Sequence, residues 1–170
     1  MIRLGDGDSP KRDSILQMLR TICPEADLVM EPDGTIKVRN ADACAEEFSA
    51  ASCSCRCICH LIGSERTVTI IVNAVRAAAG GGGITVDANE DDTVNGRGSN
   101  ETVYIDNQDR FLPHPDWVIL AHELCGHALP GMQGNHPEWR RGRLGFAPDW
   151  HRHAIEAENE IRRERGLPLR

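Results

Sequence analysis

One apolar stretch, residues 117–128, constrains the fold more than any other part of the chain. Its sequence, WVILAHELCGHA, has the composition of a buried helix, yet it carries two histidines and a glutamate. Burying ionisable groups among apolar side chains is unfavourable unless they have a partner. We therefore expect a buried helix over residues 115–129 whose polar side chains, His122, Glu123 and His127, meet a ligand.

The spacing of the two histidines predicts an irregular helix. At about 100° per residue, His122 and His127 would lie about 140° apart around an ideal α-helix, too far to reach one ion. A π-type turn widens the repeat and brings them onto one face, and such turns are frequent at functional sites. Gly126 would ease the distortion. The sequence therefore predicts a π-type widening near residues 123–127.

The same motif indicates a metal-dependent hydrolase. In zinc hydrolases with an H-E-x-x-H helix, the two histidines bind the metal and the glutamate acts as general base. By this pattern His122 and His127 are zinc ligands and Glu123 is the catalytic base, although the spacing here, H-E-x-x-x-H, is one residue longer. The alternative is a pair of unrelated histidines beside an acidic side chain.

A catalytic zinc ion needs a third protein ligand, and the last predicted helix, residues 149–166, offers several candidates. We assign Glu158 as the third metal ligand and His151 as a catalytic residue, because both lie on one helical stripe and can face the same site. His151 would then stabilise an oxyanion. The exchanged arrangement stays open, with His151 as ligand and Glu158 orienting another ligand. Further candidates are His136 and His153.

Seven cysteines, four of them alternating in residues 53–59, are the second unusual feature. Our main interpretation is a half-buried strand whose inner face uses cysteine as a small apolar residue. Metal binding and disulfides are the alternatives, although C-x-C spacing is shorter than that of structural zinc sites. Residues 1–8 lack the apolar segment of a signal peptide, so a reducing cytosol is expected. Cys125 is expected to face the core, with metal contact as its alternative.

The remaining patterns predict a small α+β domain of the zincin type, with a mostly antiparallel sheet packed against the active-site helix and a C-terminal helix. We treat residues 1–170 as a single metallopeptidase domain, in which residues 1–50 form a helix and hairpin of unassigned role and residues 53–170 form the catalytic core. The predicted elements are a helix at 9–23, a hairpin within 26–39, and strands at 67–72, 84–86 and 102–105.

One predicted strand has an expected role in catalysis. Residues 102–106 precede the histidine-bearing helix and are expected to pair with an extended substrate as an added strand. Tyr104, the single tyrosine, is a weak candidate for oxyanion stabilisation.

The charge and aromatic content of the chain argue against one class of partner, and the length of its apolar runs argues against another. The chain has 19 Lys and Arg against 26 Asp and Glu, for a formal net charge of −7, and only 4% of its residues are aromatic. Neutralising nucleic-acid phosphates needs a basic surface. No apolar run approaches the roughly 18 residues of a membrane span. We therefore expect no nucleic acid and no membrane, but a protein or peptide substrate.

Two resemblances extend this interpretation. Residues 122–127, HELCGH, resemble the H-E-x-x-G-H signature of dipeptidyl peptidase III. Residues 53–170 as a whole resemble zinc-metalloprotease toxin domains, namely the NleD-like type III effectors and the C-terminal domains of Rhs and other polymorphic toxins. The segments that carry this resemblance are CxC…LI…TVTI in 57–70, NGRGS…TV from residue 95, HE…HA at 122–128 and ENxIRxExGLPxR at 158–170.

The resemblance implies a zinc endopeptidase that is made in the cytoplasm without a signal peptide and delivered by a specialised secretion system. It would cleave a protein of the target cell, and its partners would include an immunity protein or a secretion-system carrier. Two other functions stay open: a metal-binding interaction domain without hydrolytic activity, and a zinc hydrolase that acts on cell-wall peptides.

Overall fold

A computed structural model describes residues 1–5, 9–45, 52–89, 92–93, 95–106, 115–135 and 151–170. These residues form an α+β fold, which confirms the predicted class. The elements in chain order are β1 (Ile2–Leu4), α1 (Ser9–Ile22), β2 (Leu28–Met30), β3 (Ile36–Val38), a 3₁₀ turn (Ala41–Cys44), α2 (Cys53–Gly63), β4 (Val68–Val72), α3 (Ala74–Ala78), β5 (Gly83–Asp87), β6 (Glu101–Ile105), α4 (Asp116–Ala121), a π-helical segment (His122–Ala128), α5 (Leu129–Met132) and α6 (Arg152–Glu164).

The main sheet has the strand order β1-β4-β6-β5. Strand β4 pairs in parallel with both β1 and β6, and only β5 runs antiparallel to its neighbour β6. The predicted mostly antiparallel sheet is therefore wrong. Parallel neighbours need a long crossover, and α1 and α2 lie within the connection from β1 to β4. The predicted hairpin is confirmed, because β2 and β3 form a separate antiparallel pair.

The continuous run of α4, the π-helical segment and α5 is here called the histidine helix. Pro130 directly follows the first residue after the π-helical segment, and the helix continues past it to Met132 instead of ending at residue 129. Apolar side chains from this helix, from α1 and from the sheet, including Leu124, Leu19 and Ile70, share one buried cluster. In the described part of the chain, no helix is both long and apolar enough to cross a bilayer.

Residues 53–63 form a helix, so the predicted cysteine strand is wrong. The hydroxyl of Ser52 accepts a hydrogen bond from the amide of Cys55 at 3.2 Å and caps the first turn of α2, a favourable start for a helix. The cysteines are also not simple apolar side chains. All seven lie in the described ranges, and six of them form the disulfides Cys23–Cys55, Cys44–Cys59 and Cys57–Cys125, which leaves Cys53 free.

The Cys57–Cys125 disulfide joins α2 to the histidine helix. Cys125 packs against the hydrophobic core as expected, and its bond to Cys57 leaves no thiolate to contact a metal. Its place in a disulfide leaves the metal-ligating chemistry of this helix to its histidines.

Candidate metal centre

The predicted π-type widening of the histidine helix is confirmed. The π-helical segment spans His122–Ala128 and therefore includes both predicted ligands. The ring centroids of His122 and His127 lie 5.2 Å apart, and both side chains are buried. The longer spacing of the motif thus places the two imidazoles on the same face.

Gly126 has a second role that the sequence did not reveal. A Cβ atom at this position would lie 2.5 Å from Cα and 2.6 Å from Cβ of Ala154, in α6. The absence of a side chain therefore allows α6 to pack directly on the π-helical segment. This close contact brings the start of α6 next to the two histidines.

The third member of the cluster is His151, which immediately precedes α6. Its ring centroid is 4.6 Å from that of His122 and 5.1 Å from that of His127. The candidate ligand atoms of the three histidines all lie within 4.8 Å of one another. Two nitrogens bound to one zinc ion at about 2.1 Å lie at most about 4.2 Å apart, so small side-chain movements suffice. The three histidines are positioned to hold a metal ion.

Glu158 lies beside this cluster, and both oxygens of its carboxylate contact nitrogen atoms of other side chains. One oxygen is 2.9 Å from Nδ1 of His122, and the other accepts a hydrogen bond from Nε of Arg162 at 2.6 Å. Nη1 of Arg170 lies 3.2 Å from the first oxygen. Our assignment of Glu158 as the metal ligand and His151 as the oxyanion-stabilising residue stays a prediction. The contacts favour the exchanged arrangement that the sequence left open, with His151 beside the two helix histidines and Glu158 on Nδ1 of His122.

The environment of Glu158 keeps it ionised. Its burial opposes ionisation, but hydrogen bonds and positive charge from His122 and Arg162 lower its pKa to about 2. A carboxylate beside Nδ1 holds the proton there and leaves Nε2 of His122 with a lone pair for a metal. Burial and the charges of His122 and Arg170 lower the pKa of His151, against the effect of Glu158. A neutral imidazole is the form that binds metals.

Glu123 directly follows His122 in the π-helical segment and contacts strand β5 of the sheet. Its carboxylate accepts a hydrogen bond of 2.7 Å from Oγ1 of Thr85, in β5. Burial raises the pKa of Glu123, although the charge of His122 and the bonds from Thr85 act in the other direction. A buried carboxyl group with a raised pKa is suited to accept and return a proton.

Two residues of β5 that the sequence analysis missed make room for this carboxylate and orient it. Thr85 supplies the hydrogen bond described above, and a Cβ atom at Gly83 would lie 2.7 Å from Cγ of Glu123. The only signal in the sequence was the glycine run at residues 80–83.

The structure overturns both expectations about the strand at residues 102–106. Strand β6 lies between β4 and β5, so neither of its edges is open to a substrate strand. Thr85 pairs with Val103, and Tyr104 therefore projects from the other face of the sheet. Its hydroxyl accepts a hydrogen bond from Arg76 at 3.2 Å. Tyr104 thus lies away from the face that Glu123 contacts.

Of the remaining candidate ligands, His153 is exposed and lies 3.6 Å from the carboxylate of Glu156. His136 lies outside the described residues. Comparison of the chain with known protein families, with curated protein sequences and with solved structures found no match.

Proposed function

We propose that the chain is a zinc-dependent endopeptidase. The observation that carries the proposal is the position of Glu123, a buried carboxylate that directly follows one metal-ligating histidine and is oriented by Thr85. A domain that only bound a metal would have no need of an oriented base at this position. Three imidazoles that leave a fourth position open are typical of catalytic zinc.

The site residues have two kinds of proposed role, which are holding the metal and moving a proton. A bound zinc ion would lower the pKa of a coordinated water to about 7 and polarise the scissile carbonyl. Glu123 takes the proton from the attacking water and later delivers it to the leaving amine. Glu158 acts as a positioning residue, because it fixes the tautomer and the orientation of the His122 ring.

Strand β5 is the proposed site for an extended substrate. It is the edge strand of the sheet on the side next to Glu123, and its second edge pairs with no other described strand. A peptide added to this edge would gain main-chain hydrogen bonds and pass close to the general base. The net charge of −7 favours basic substrates over acidic ones.

We also propose that the protein works outside the cytoplasm in which it is made, as the resemblance to secreted toxins implies. Support comes from the three disulfides, because such bonds persist in oxidising compartments and are rare in the cytosol. A protein of the target cell is the proposed substrate, and an immunity protein or a secretion-system carrier is the proposed partner.

Metal analysis and a peptidase assay together test the function. We expect about one zinc ion per chain, which is lost in His122→Ala, His127→Ala and His151→Ala. Glu123→Gln should keep the metal and lose roughly 10²- to 10⁴-fold in activity on a denatured protein substrate. The matched control is Glu156→Gln, because Glu156 is a half-exposed carboxylate on α6 that pairs with Arg152.

The alternatives give different results in the same assay. Wild type that binds zinc but cleaves neither protein nor peptidoglycan fragments would be a non-hydrolytic metal-binding domain. Cleavage of peptidoglycan fragments alone would make the chain a cell-wall hydrolase. If wild type binds no stoichiometric metal after zinc is added back, the proposal is wrong.

A further inference from the structure

A second group of potential metal ligands lies away from the histidines, where the end of α1, the 3₁₀ turn and α2 meet. The sulfur atoms of Cys23, Cys55 and Cys59 all lie within 4.8 Å of one another. They belong to two neighbouring disulfides, Cys23–Cys55 and Cys44–Cys59, so a fourth sulfur, that of Cys44, is bonded to one member of the trio.

The placement of these sulfurs matches what one metal ion requires. Cys55 and Cys59 are four residues apart on α2 and therefore project from the same face. Cys23 directly follows α1, and Cys44 ends the 3₁₀ turn. Four thiolates bound tetrahedrally to zinc at about 2.3 Å lie about 3.8 Å apart. After reduction, the two sulfurs of each former disulfide must therefore move apart to this distance, while those of the trio that belong to different disulfides already lie within 4.8 Å of one another.

We propose that the reduced form of this protein binds a second divalent metal ion through Cys23, Cys44, Cys55 and Cys59. A dithiol reductant donates two electrons and two protons to each disulfide and becomes a disulfide itself. The four thiols so formed release four protons as they bind the ion as thiolates. The oxidation state of the metal does not change, and thiolate ligands select zinc or similarly soft ions.

One side of this cysteine site is buried, and the other side opens into a cavity. Cys23 and Cys55 are fully buried, which excludes water from one side of the site. On the other side, Cys44 and Cys59 line a cavity of about 530 Å³ through which a reductant and an ion can reach the sulfurs. Arg56 lines the same cavity, and its charge would offset part of the negative charge of a metal bound to four thiolates.

The metal would replace the two disulfides as a connection between the same three elements. In this way a chain in the reducing cytosol would keep α1, the 3₁₀ turn and α2 together. After export, two disulfide molecules of an oxidant would take up four electrons and four protons and become dithiols, while the two disulfides of the chain form and the divalent ion is released. The proposal does not depend on peptidase activity, because none of the four cysteines contributes to the histidine cluster.

Cobalt(II) titration of the full chain tests the proposal, because thiolate ligands produce intense ligand-to-metal charge-transfer absorption and histidines do not. We expect the oxygen-free chain reduced with a phosphine to bind one more cobalt ion than the oxidised chain, with this absorption. Cys23→Ser combined with Cys55→Ser should abolish the absorption. Cys53→Ser, a change of the free cysteine on the same helix, should leave it intact, as should His127→Ala.

Alkylation of the reduced wild-type chain gives an answer even if the serine variants fail to fold. With zinc added, Cys23, Cys44, Cys55 and Cys59 should resist iodoacetamide. The three other cysteines, Cys53, Cys57 and Cys125, should be modified. Equal alkylation of all seven cysteines with and without zinc would overturn the proposal, and so would protection of a different set.

Discussion

The C-terminal and N-terminal parts of this molecule are held together by different kinds of interaction. Around the π-helical segment, α6 is fixed by a buried ionic network in which Glu158 joins His122 to Arg162. Around α2, the connections are covalent, since disulfides join it to residues 23 and 44. The first network consists of the same groups that surround the metal centre. The second is chemically separate from the metal centre and depends on the redox state.

The difference separates the contacts that involve the candidate metal site from those that do not. A perturbation of the ionic network alters folding and metal binding together, because Glu158 serves both. A perturbation of the disulfides alters folding alone, except at one point. That point is the Cys57–Cys125 bond, which ties α2 to the histidine helix between its two histidines. Three variants, taken from the largest expected effect to the smallest, test this separation, and a fourth tests the effect of pH on stability.

Glu158→Gln should have the largest effect. Arg162, which is 3% exposed, would lose its ionic partner, and breaking a buried pair in this way destabilises a protein by about 3–5 kcal/mol. Metal affinity should fall about 10- to 100-fold, because His122 loses the carboxylate that orients it. Urea unfolding and a competition assay with a zinc chelator measure the two effects. If Glu158→Gln loses no more stability and no more zinc affinity than Glu156→Gln, the contacts of Glu158 do not support the fold and the site together.

Replacement of Cys57 and Cys125 by alanine should lower the free energy of unfolding by about 2–4 kcal/mol under oxidising conditions. The bond closes a loop between residues 68 positions apart, and its removal gives the unfolded chain more conformational freedom. Zinc stoichiometry should stay at the wild-type value. If the double variant loses the metal, the two regions are coupled through this bond and the separation is incomplete. Cys53→Ser is the control, since it breaks no disulfide.

Gly126→Ala tests the packing of α6 on the π-helical segment, because two opposing effects decide whether the variant gains or loses stability. Alanine favours a helix over glycine by about 1 kcal/mol, but its Cβ would lie 2.5 Å from Cα of Ala154. We expect the close approach to dominate and to destabilise the protein by about 1–3 kcal/mol. Gly63→Ala is the control, because a Cβ there meets no atom within 4 Å. Thermal unfolding in which both variants gain stability would contradict this role of Gly126.

Glu101, a buried acid in β6 that lies against Gly131 of the histidine helix, should make the free energy of unfolding depend on pH. Burial, together with the neighbouring Asp87, raises the pKa of Glu101 from 4.5 to about 9. The folded chain therefore keeps a proton that the unfolded chain loses above about pH 4.5. The free energy of unfolding should fall between about pH 4.5 and 9, by at most about 1.4 kcal/mol per pH unit.

Glu101→Gln should remove this dependence, because glutamine keeps the shape of the acid without its titration. Chemical denaturation of wild type and variant at several pH values is the measurement. Parallel profiles for the two proteins would show that another group carries the proton.

The shape of the histidine helix could be predicted from the sequence because two requirements were sufficient to define it. An apolar helix with histidines five residues apart has one simple way to bring both to one ion, and the π-helical segment is that solution. The choice between Glu158 and His151 was not determined in the same way. Both lie on one stripe, and the deciding contact is that of Glu158 with Arg162, four residues further along α6.

The cysteines show why the rest could not be predicted. Their alternation suggests a strand, but three of the four alternating cysteines pair with cysteines outside this segment, and the partner of Cys57 is 68 residues distant. Strand β1 was missed for a related reason. It has only three residues, and its pairing with β4 depends on a crossover that no local pattern reveals. Thr85 likewise has no local signal, because its role comes from the packing of β5 against Glu123.

The π-helical segment also determines the phase of the apolar pattern along its helix. Because it adds one residue to a turn, the buried positions before it, such as Leu120, follow a different angular series from those after it, such as Met132. Deleting one residue inside the segment would restore the regular H-E-x-x-H spacing and, because a π-type turn carries its extra residue within nearly the same rotation as an α turn, would leave α5 facing the same side relative to α4. A chain with the shorter motif could therefore keep the same apolar side chains toward the core on both sides of its histidines, with the second set numbered one position earlier.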